Sequence, residues 1–197
     1  MQPYRFVVLL SALVLSGLSL PAWARGTIEK VNIQGLDKDD DAEIIENIEV
    51  SLSLYQVIGK EQGESRLEYL LGQAERQTRQ ALEPFGYYNP VIQVQPQRSD
   101  DRVQVQIQVD KGEPVRVRRE NIAIEGPGSD DLYLQRDLQA FAPRRGQPFD
   151  HSTYEASKVT ITRRLTERGY FDADFLQRQA SVTRAENAAD IDLSWDS

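Results

Sequence analysis

The sequence predicts an α+β protein of two tandem modules, each β-α-α-β-β, with two helices packed on one face of a three-stranded mixed sheet. Three observations carry this. Leu82-Glu-Pro-Phe-Gly86-Tyr87-Tyr88-Asn89 and Leu165-Thr-Glu-Arg-Gly169-Tyr170-Phe171-Asp172 repeat a Gly-aromatic-aromatic-Asx block 83 residues apart. Each block follows a segment with helical apolar spacing and precedes two alternating segments, so the repeated unit is larger than a turn. Ile122 and Ile124 before Gly126 repeat Val31 and Ile33 before Gly35 at an offset of 91. The drop from 91 to 83 removes eight residues from the second helical region, where loops absorb such changes.

The amino terminus reads as a signal peptide, residues 1–24. Arg5 supplies a positive start, Phe6 to Leu20 is almost wholly apolar, and Pro21-Ala-Trp-Ala24 ends in an Ala-x-Ala exit, which places cleavage after Ala24. The apolar run is short for a span of roughly 20 residues. The chain has no cysteine, which excludes acylation at a lipobox and a disulfide framework. With a net charge of −8 and a pI near 4.8, it has no electrostatic footprint for nucleic acid.

In the first module, expected over residues 25–111, Val31-Asn-Ile33 reads as a strand running into a turn at Gly35. Ile44, Ile45, Ile48 and Leu52 share one helical face. The aspartates from Asp37 to Asp41 suit the positive end of that helix. Asp37, Asp39 and Asp41 have calcium-loop spacing, but Ala42 stands where the turn needs Gly and Ile48 where a bidentate Glu is needed. Gln56 to Glu64 reads as a polar connection. Leu67, Leu70, Leu71, Ala74, Thr78, Ala81, Leu82 and Phe85 then form the clearest amphipathic helix, opened by a capping box at Ser65 and Glu68 and closed by Gly86. Pro90 and Pro96 bracket Val91-Ile-Gln-Val-Gln95, which places that strand at a sheet edge. Val103, Val105, Ile107 and Val109 alternate with Gln104, Gln106 and Gln108. That strand belongs in the middle, with a glutamine face toward solvent.

Asp110-Lys-Gly-Glu-Pro114 is too short a linker for free tumbling. The second module, expected over residues 112–197, repeats the five elements. Leu134, Leu138 and Phe141 mark its short helix, and Ser152 with Glu155 has capping-box spacing before a helix through Tyr154, Ile161 and Leu165 to Gly169. Phe175 to Val182 and Ile191 to Trp195 are its last two strands. The chain stops directly after a strand, at Asp196-Ser197, which reads as a boundary within a longer protein.

No constellation for catalysis, cofactor binding or a metal stands out. His151 is the single histidine and no thiolate is available, so zinc has no ligand set; a solvated side chain near a helix start is the expectation for it. No phosphate loop or nucleophile elbow is present, and the carboxylates lie on wet faces. Gly86 and Gly169 are read as helix-ending glycines, and Tyr87, Tyr88, Tyr170 and Phe171 as core plugs at a helix-to-strand junction. What remains for function is backbone: an open sheet edge can pair with a strand of another chain. The expected docking edges are Val91, Ile92, Gln93, Val94 and Gln95, and their counterparts Phe175, Leu176, Gln177, Arg178 and Gln179.

The β-α-α-β-β order, the Gly-Tyr-aromatic block and the export signal together resemble POTRA domains of outer-membrane assembly factors. Gly86-Tyr-Tyr-Asn-Pro90, Val109-Asp-Lys-Gly-Glu-Pro-Val115, Tyr154-Glu155, Arg168-Gly-Tyr-Phe-Asp172 and Ala189-Asp-Ile-Asp192 are, as an ordered set, similar to the amino-terminal part of the TamA family, outer-membrane subunits of the translocation and assembly module. The resemblance covers essentially the whole chain after Ala24. It implies a non-enzymatic periplasmic arm in a Gram-negative bacterium, with a third POTRA domain and a β-barrel in the outer membrane downstream. It also implies contacts with an inner-membrane-anchored TamB-like partner and with unfolded outer-membrane or autotransporter client proteins. Two other readings stay open: a two-partner-secretion or general barrel-assembly subunit, and a free-standing periplasmic adaptor using the same fold, for instance in cell division.

Overall fold

The computed structural model describes residues 25–197; the expected signal peptide and its cleavage site lie outside the described residues. Two mixed sheets, each with its own helices and core, follow one another along the chain. The first sheet contains β1 (Arg25–Gln34), β2 (Glu61–Gly63), β3 (Val91–Ser99) and β4 (Arg102–Asp110), in the order β2-β1-β4-β3. β1 runs parallel to β4, and β3 antiparallel to it. The second contains β5 (Arg116–Glu125), β6 (Asp174–Thr183) and β7 (Ala188–Asp196), ordered β5-β7-β6 with the same directions. In both modules the last strand is an inner strand, paired on both sides.

Helices α1 (Ala42–Ser51) and α2 (Glu64–Leu82) cover one face of the first sheet, and α3 (Leu132–Gln139) and α4 (His151–Glu167) belong to the second module. Val103, Val105, Ile107 and Val109 are buried under Leu67, Leu70, Ala74 and Leu82, and the intervening glutamines face outward. There Gln104 donates to Glu29 and Gln106 to Gln34. The second core is built from Ile161, Leu165, Ile191, Leu193 and Trp195, whose indole N–H donates to Thr162 Oγ at 3.1 Å. Gly86 and Gly169 take the left-handed conformation, at φ +88° and +94°, and so end their helical segments.

Local expectations are corrected at several places. The connection from Gln56 to Glu64 contains a strand: the left-handed Gly59 turns the chain back, and Glu61–Gly63 pairs with Arg25–Thr27. Ser65 caps nothing, since α2 starts one residue earlier with Gly63 at its N-cap. Ser152 is likewise inside α4. Asp150 is the cap, accepting from the Thr153 amide and the Ser152 hydroxyl, both at 2.7 Å. Burial raises the Asp150 pKa, but those hydrogen bonds outweigh it and hold the carboxyl below its ordinary value. Asp37 Oδ1 accepts from the Asp39 and Asp40 amides, both at 2.9 Å, in a turn before α1. Asp41 pairs with Lys111 rather than standing open to a cation.

Candidate interaction surfaces

The repeated glycine-aromatic block has different destinations in the two modules. In the first, Tyr87 packs against its own core, but Tyr88 is 8% exposed within the core of the second module. Its hydroxyl meets His151 Nε2 at 2.5 Å, and the Arg184 guanidinium stands over its ring. Burial and the nearby Glu83 charge push the Tyr88 phenol up to about 12. Asn89 Nδ2 donates to the Arg184 carbonyl at 2.7 Å and to Asn187 Oδ1 at 2.8 Å. Arg184 pairs with Glu83 at 2.6 Å, and the Val115 amide donates to the Gly86 carbonyl at 2.8 Å. Gly86 has no room for a side chain, since a Cβ would lie 2.9 Å from the Phe149 carbonyl oxygen. The block is therefore a joint: it fills the neighbouring module while ending a helix in its own. His151 belongs to this joint, half-buried against Phe149 and Tyr88, rather than being solvated.

Sequence reasoning could find the block but not its direction. Phe171 in the second copy is 79% exposed, which corrects its reading as a core plug. Tyr170 does pack against its own core. The signal for Tyr88 was a hydroxyl aromatic followed by Asn, a pair able to make polar contacts across a boundary.

β3 and β6, which carry the expected docking residues, are both outer strands of their sheets. Their surroundings differ. The inward face of β3 presents Ile92, which is buried, and Val94, which packs on the core. α2 closes over that strand, and Arg79 Nη1 donates to the Pro90 carbonyl at 2.9 Å. On β6, Arg178, Ala180 and Val182 lie opposite Leu193, Ile191 and Ala189. A charged and a small residue in that row give α4 little to pack on, and every residue from Leu176 to Ser181 is exposed.

A groove of about 360 Å³ separates α4 from β6, lined by Lys158, Val159, Thr162, Arg163, Phe175 and Arg178 among others. Leu176 is the extra residue of a bulge between Phe175 and Gln177 and is 52% exposed. Val159 is 62% exposed on the helix side. Lys158 is buried, paired with Glu155 at 2.7 Å and set over the Tyr154 ring. The site thus offers unpaired strand backbone beside apolar side chains and cationic heads, a combination that suits an extended polypeptide.

The family models that match the chain agree with this architecture. Residues 30–111 match the model of POTRA domain TamA domain 1, and residues 117–194 match the POTRA model described as surface antigen variable number repeat. Among solved structures, the chain is similar to BamA POTRA3-5 of Haemophilus influenzae, with 19% identity over 91% of this chain and 68% of that one, at a TM-score of 0.42. It is also similar to POTRA1-3 of the periplasmic domain of Omp85 from Anabaena, with 15% identity over 87% of this chain and 61% of that one, at 0.42. CdiB from Escherichia coli matches at 14% identity over 95% of this chain and 29% of that one, at 0.34. The chain thus spans less than two thirds of the length of most of these structures. POTRA domains are periplasmic protein-interaction modules. The chain belongs to the POTRA family: it is a tandem of two POTRA domains, the first of the TamA domain 1 type.

Proposed function

We propose that these two domains, residues 25–111 and 112–197, are the exported periplasmic arm of a TamA-type assembly factor in a Gram-negative bacterium. In this reading residues 1–24 direct export, and a further POTRA domain and an outer-membrane barrel follow. The arm is a non-enzymatic docking surface for unfolded outer-membrane or autotransporter clients and for an inner-membrane-anchored TamB-like partner. The observation that carries the reading is the α4–β6 groove, where an outer strand lies beside exposed Val159 and half-buried Phe175. Client strands that alternate apolar and polar residues pair their backbone with β6 and lay their apolar side chains against α4. Main-chain pairing gives little sequence preference, as a protein serving many clients requires.

Of the two edges expected from sequence, this reading assigns client docking to β6, which borders the groove under α4. A synthetic peptide of about ten alternating residues, the length of a barrel strand, is titrated into the chain while backbone amide shifts are followed. The shifts concentrate on Phe175 to Gln179 and around Val159. Val159→Glu and Gln177→Pro each remove them while leaving β7 protected from exchange. Shifts on Val91 to Gln95 alone, or binding indifferent to both substitutions, would sink the β6 assignment.

A further inference from the structure

The second glycine-aromatic block has the backbone of a joint and nothing in it. The Gly169 amide donates to Thr166 and the Tyr170 amide to Leu165, each at 3.0 Å, as the Gly86 amide donates to Glu83 at 3.0 Å and the Tyr87 amide to Leu82 at 3.3 Å. Tyr170 turns back onto its own core as Tyr87 does. From there the copies diverge in surroundings rather than in shape. Tyr88 is buried in the next module while Phe171 is exposed, and a Cβ on Gly169 would meet nothing within 4 Å.

More apolar surface lies at the same end. Leu132 and Tyr133, at the start of α3, are 83% and 55% exposed. Arg168, one residue before Gly169, is hydrogen-bonded to Asp131 at 2.8 Å and stands over the Tyr133 ring. The strand ends correspond as well: Ser197 stands against Gly126 as Val109 stands against Gly35. A chain continuing from Ser197 therefore leaves the second sheet where the linker leaves the first.

Building on the reading that a further domain follows, we propose that Phe171 and Asp172 form the plug of a second joint, whose occupant is a module of this same fold set directly after β7. The two differences between the blocks specify that occupant. Tyr88 needs a polar partner and finds it in His151; Phe171 has no hydroxyl, so the position equivalent to His151 must be apolar. Asn89 donates to two acceptors, the Arg184 carbonyl and Asn187 Oδ1. A carboxylate at Asp172 only accepts, so the receiving hairpin turn must donate, through amides, Lys or Arg. A carboxylate facing those two acceptors loses both hydrogen bonds and sets its charge against two oxygens at an exposed contact, which disfavours the arrangement. The second module is thus a poor occupant for its own plug, and the order of modules is encoded in two side chains.

The intact chain tests the code directly, whether or not a further domain follows. Tyr88→Phe with Asn89→Asp transplants the second block into the first joint. The expected result is loss of the shared tumbling of the two modules in amide relaxation, with β4 and β7 still protected from exchange. Asn187→Lys in that background offers the introduced carboxylate a donor and restores the shared tumbling. A second arm appends a copy of residues 110–197 after Ser197. The copy tumbles freely behind native Phe171 and Asp172, and docks when the chain carries Phe171→Tyr and Asp172→Asn. Shared tumbling that survives Tyr88→Phe with Asn89→Asp overturns the proposal. So does an appended copy that stays free or unfolded behind the exchanged block, since a working joint supplies the aromatic that completes the core. A copy that docks equally well behind the native block overturns the specificity.

Discussion

Tyr88 and Phe171 occupy the same place in two copies of one motif, yet one is 8% exposed and the other 79%. The local backbone is shared, so local propensity does not decide burial. What decides is whether a neighbour is present to receive the side chain. At Tyr88 the second aromatic after a helix-ending glycine is thus not a plug for its own module but a connector to the next. The edge strands teach the same lesson. β3 and β6 hold equivalent edge positions, but Ile92 and Val94 draw α2 down, whereas Arg178 and Ala180 leave a groove under α4.

The largest effect that probes this contrast comes from truncating the two aromatics. Tyr88→Ala removes a large buried ring from the second core and should cost about 3 kcal/mol, the scale of large aromatic deletions. Phe171→Ala should stay within about 0.5 kcal/mol, as surface changes do. Urea unfolding, read at Trp195 for the second module, measures both. Equal costs would mean that the two rings are equally packed in solution.

The glycines sharpen it further. Gly169→Ala meets no atom within 4 Å, so only the φ of +94° penalises it, at about 1–2 kcal/mol. Gly86→Ala carries the same backbone term and also sets a Cβ 2.9 Å from the Phe149 carbonyl oxygen, so the modules must shift apart. The denaturation midpoint of Gly86→Ala should fall distinctly further. Equal midpoints would show that the joint yields without cost.

Much of this was legible in the sequence, and the limits have physical causes. The strict Val-Gln alternation of residues 103–109 specified a central strand with one wet face, because period two admits a single assignment when one face is buried. Gly86 and Gly169 were legible because few other residues end a helix in the left-handed region. β2 was missed since Glu61–Gly63 is polar and three residues long, held by its partner rather than by propensity. The capping boxes at Ser65 and Ser152 failed because Gly63 and Asp150 take the cap position upstream of each. The destination of Tyr88 was beyond any local reading, since its partner His151 lies 63 positions away. The open groove had a weak signal in Arg178 and Ala180, visible only once the register with β7 is known.

Alkaline titration gives a smaller effect on the same joint. The Tyr88 phenol is raised from 10.0 to about 12. A raised folded-state pKa means a contribution to stability that is intact below pH 10 and lost as pH climbs toward 12. Tyr55, raised likewise to about 12 by burial and Glu49, is the internal control in the first module. Tyrosinate absorbance should show both rings titrating late, and Tyr88→Phe should remove one of them. The shared tumbling of the modules should fade over the interval from pH 10 to 12 in the native chain, whereas Tyr88→Phe, which has no phenol to ionise, should show no step there. Tumbling that fades equally in both would place the alkaline weakness elsewhere.

The smallest effect separates the outer faces of the two sheets. The first face is tied mainly by glutamines, Gln104 donating to Glu29 and Gln106 to Gln34, with a single exposed ion pair between Arg102 and Glu29. The second is tied by ion pairs, Arg118 with Asp190 and Glu186, and Arg119 with Asp192. Hydrogen bonding from Arg118 holds the Asp190 carboxyl below its ordinary value. A lowered folded-state pKa contributes stability that is present above the usual carboxylate range and disappears as pH falls through the lowered value. Acid should therefore loosen β5–β7 pairing before β1–β4 pairing, and added salt should move the second module slightly in the same direction by screening these exposed pairs. Hydrogen exchange at Ile191 and Ile107, followed from about pH 5 downward at low and high salt, compares the two sheets across the carboxylate range. If Ile107 loses protection first, the glutamine face is the weaker one and the ion pairs contribute little to the second sheet.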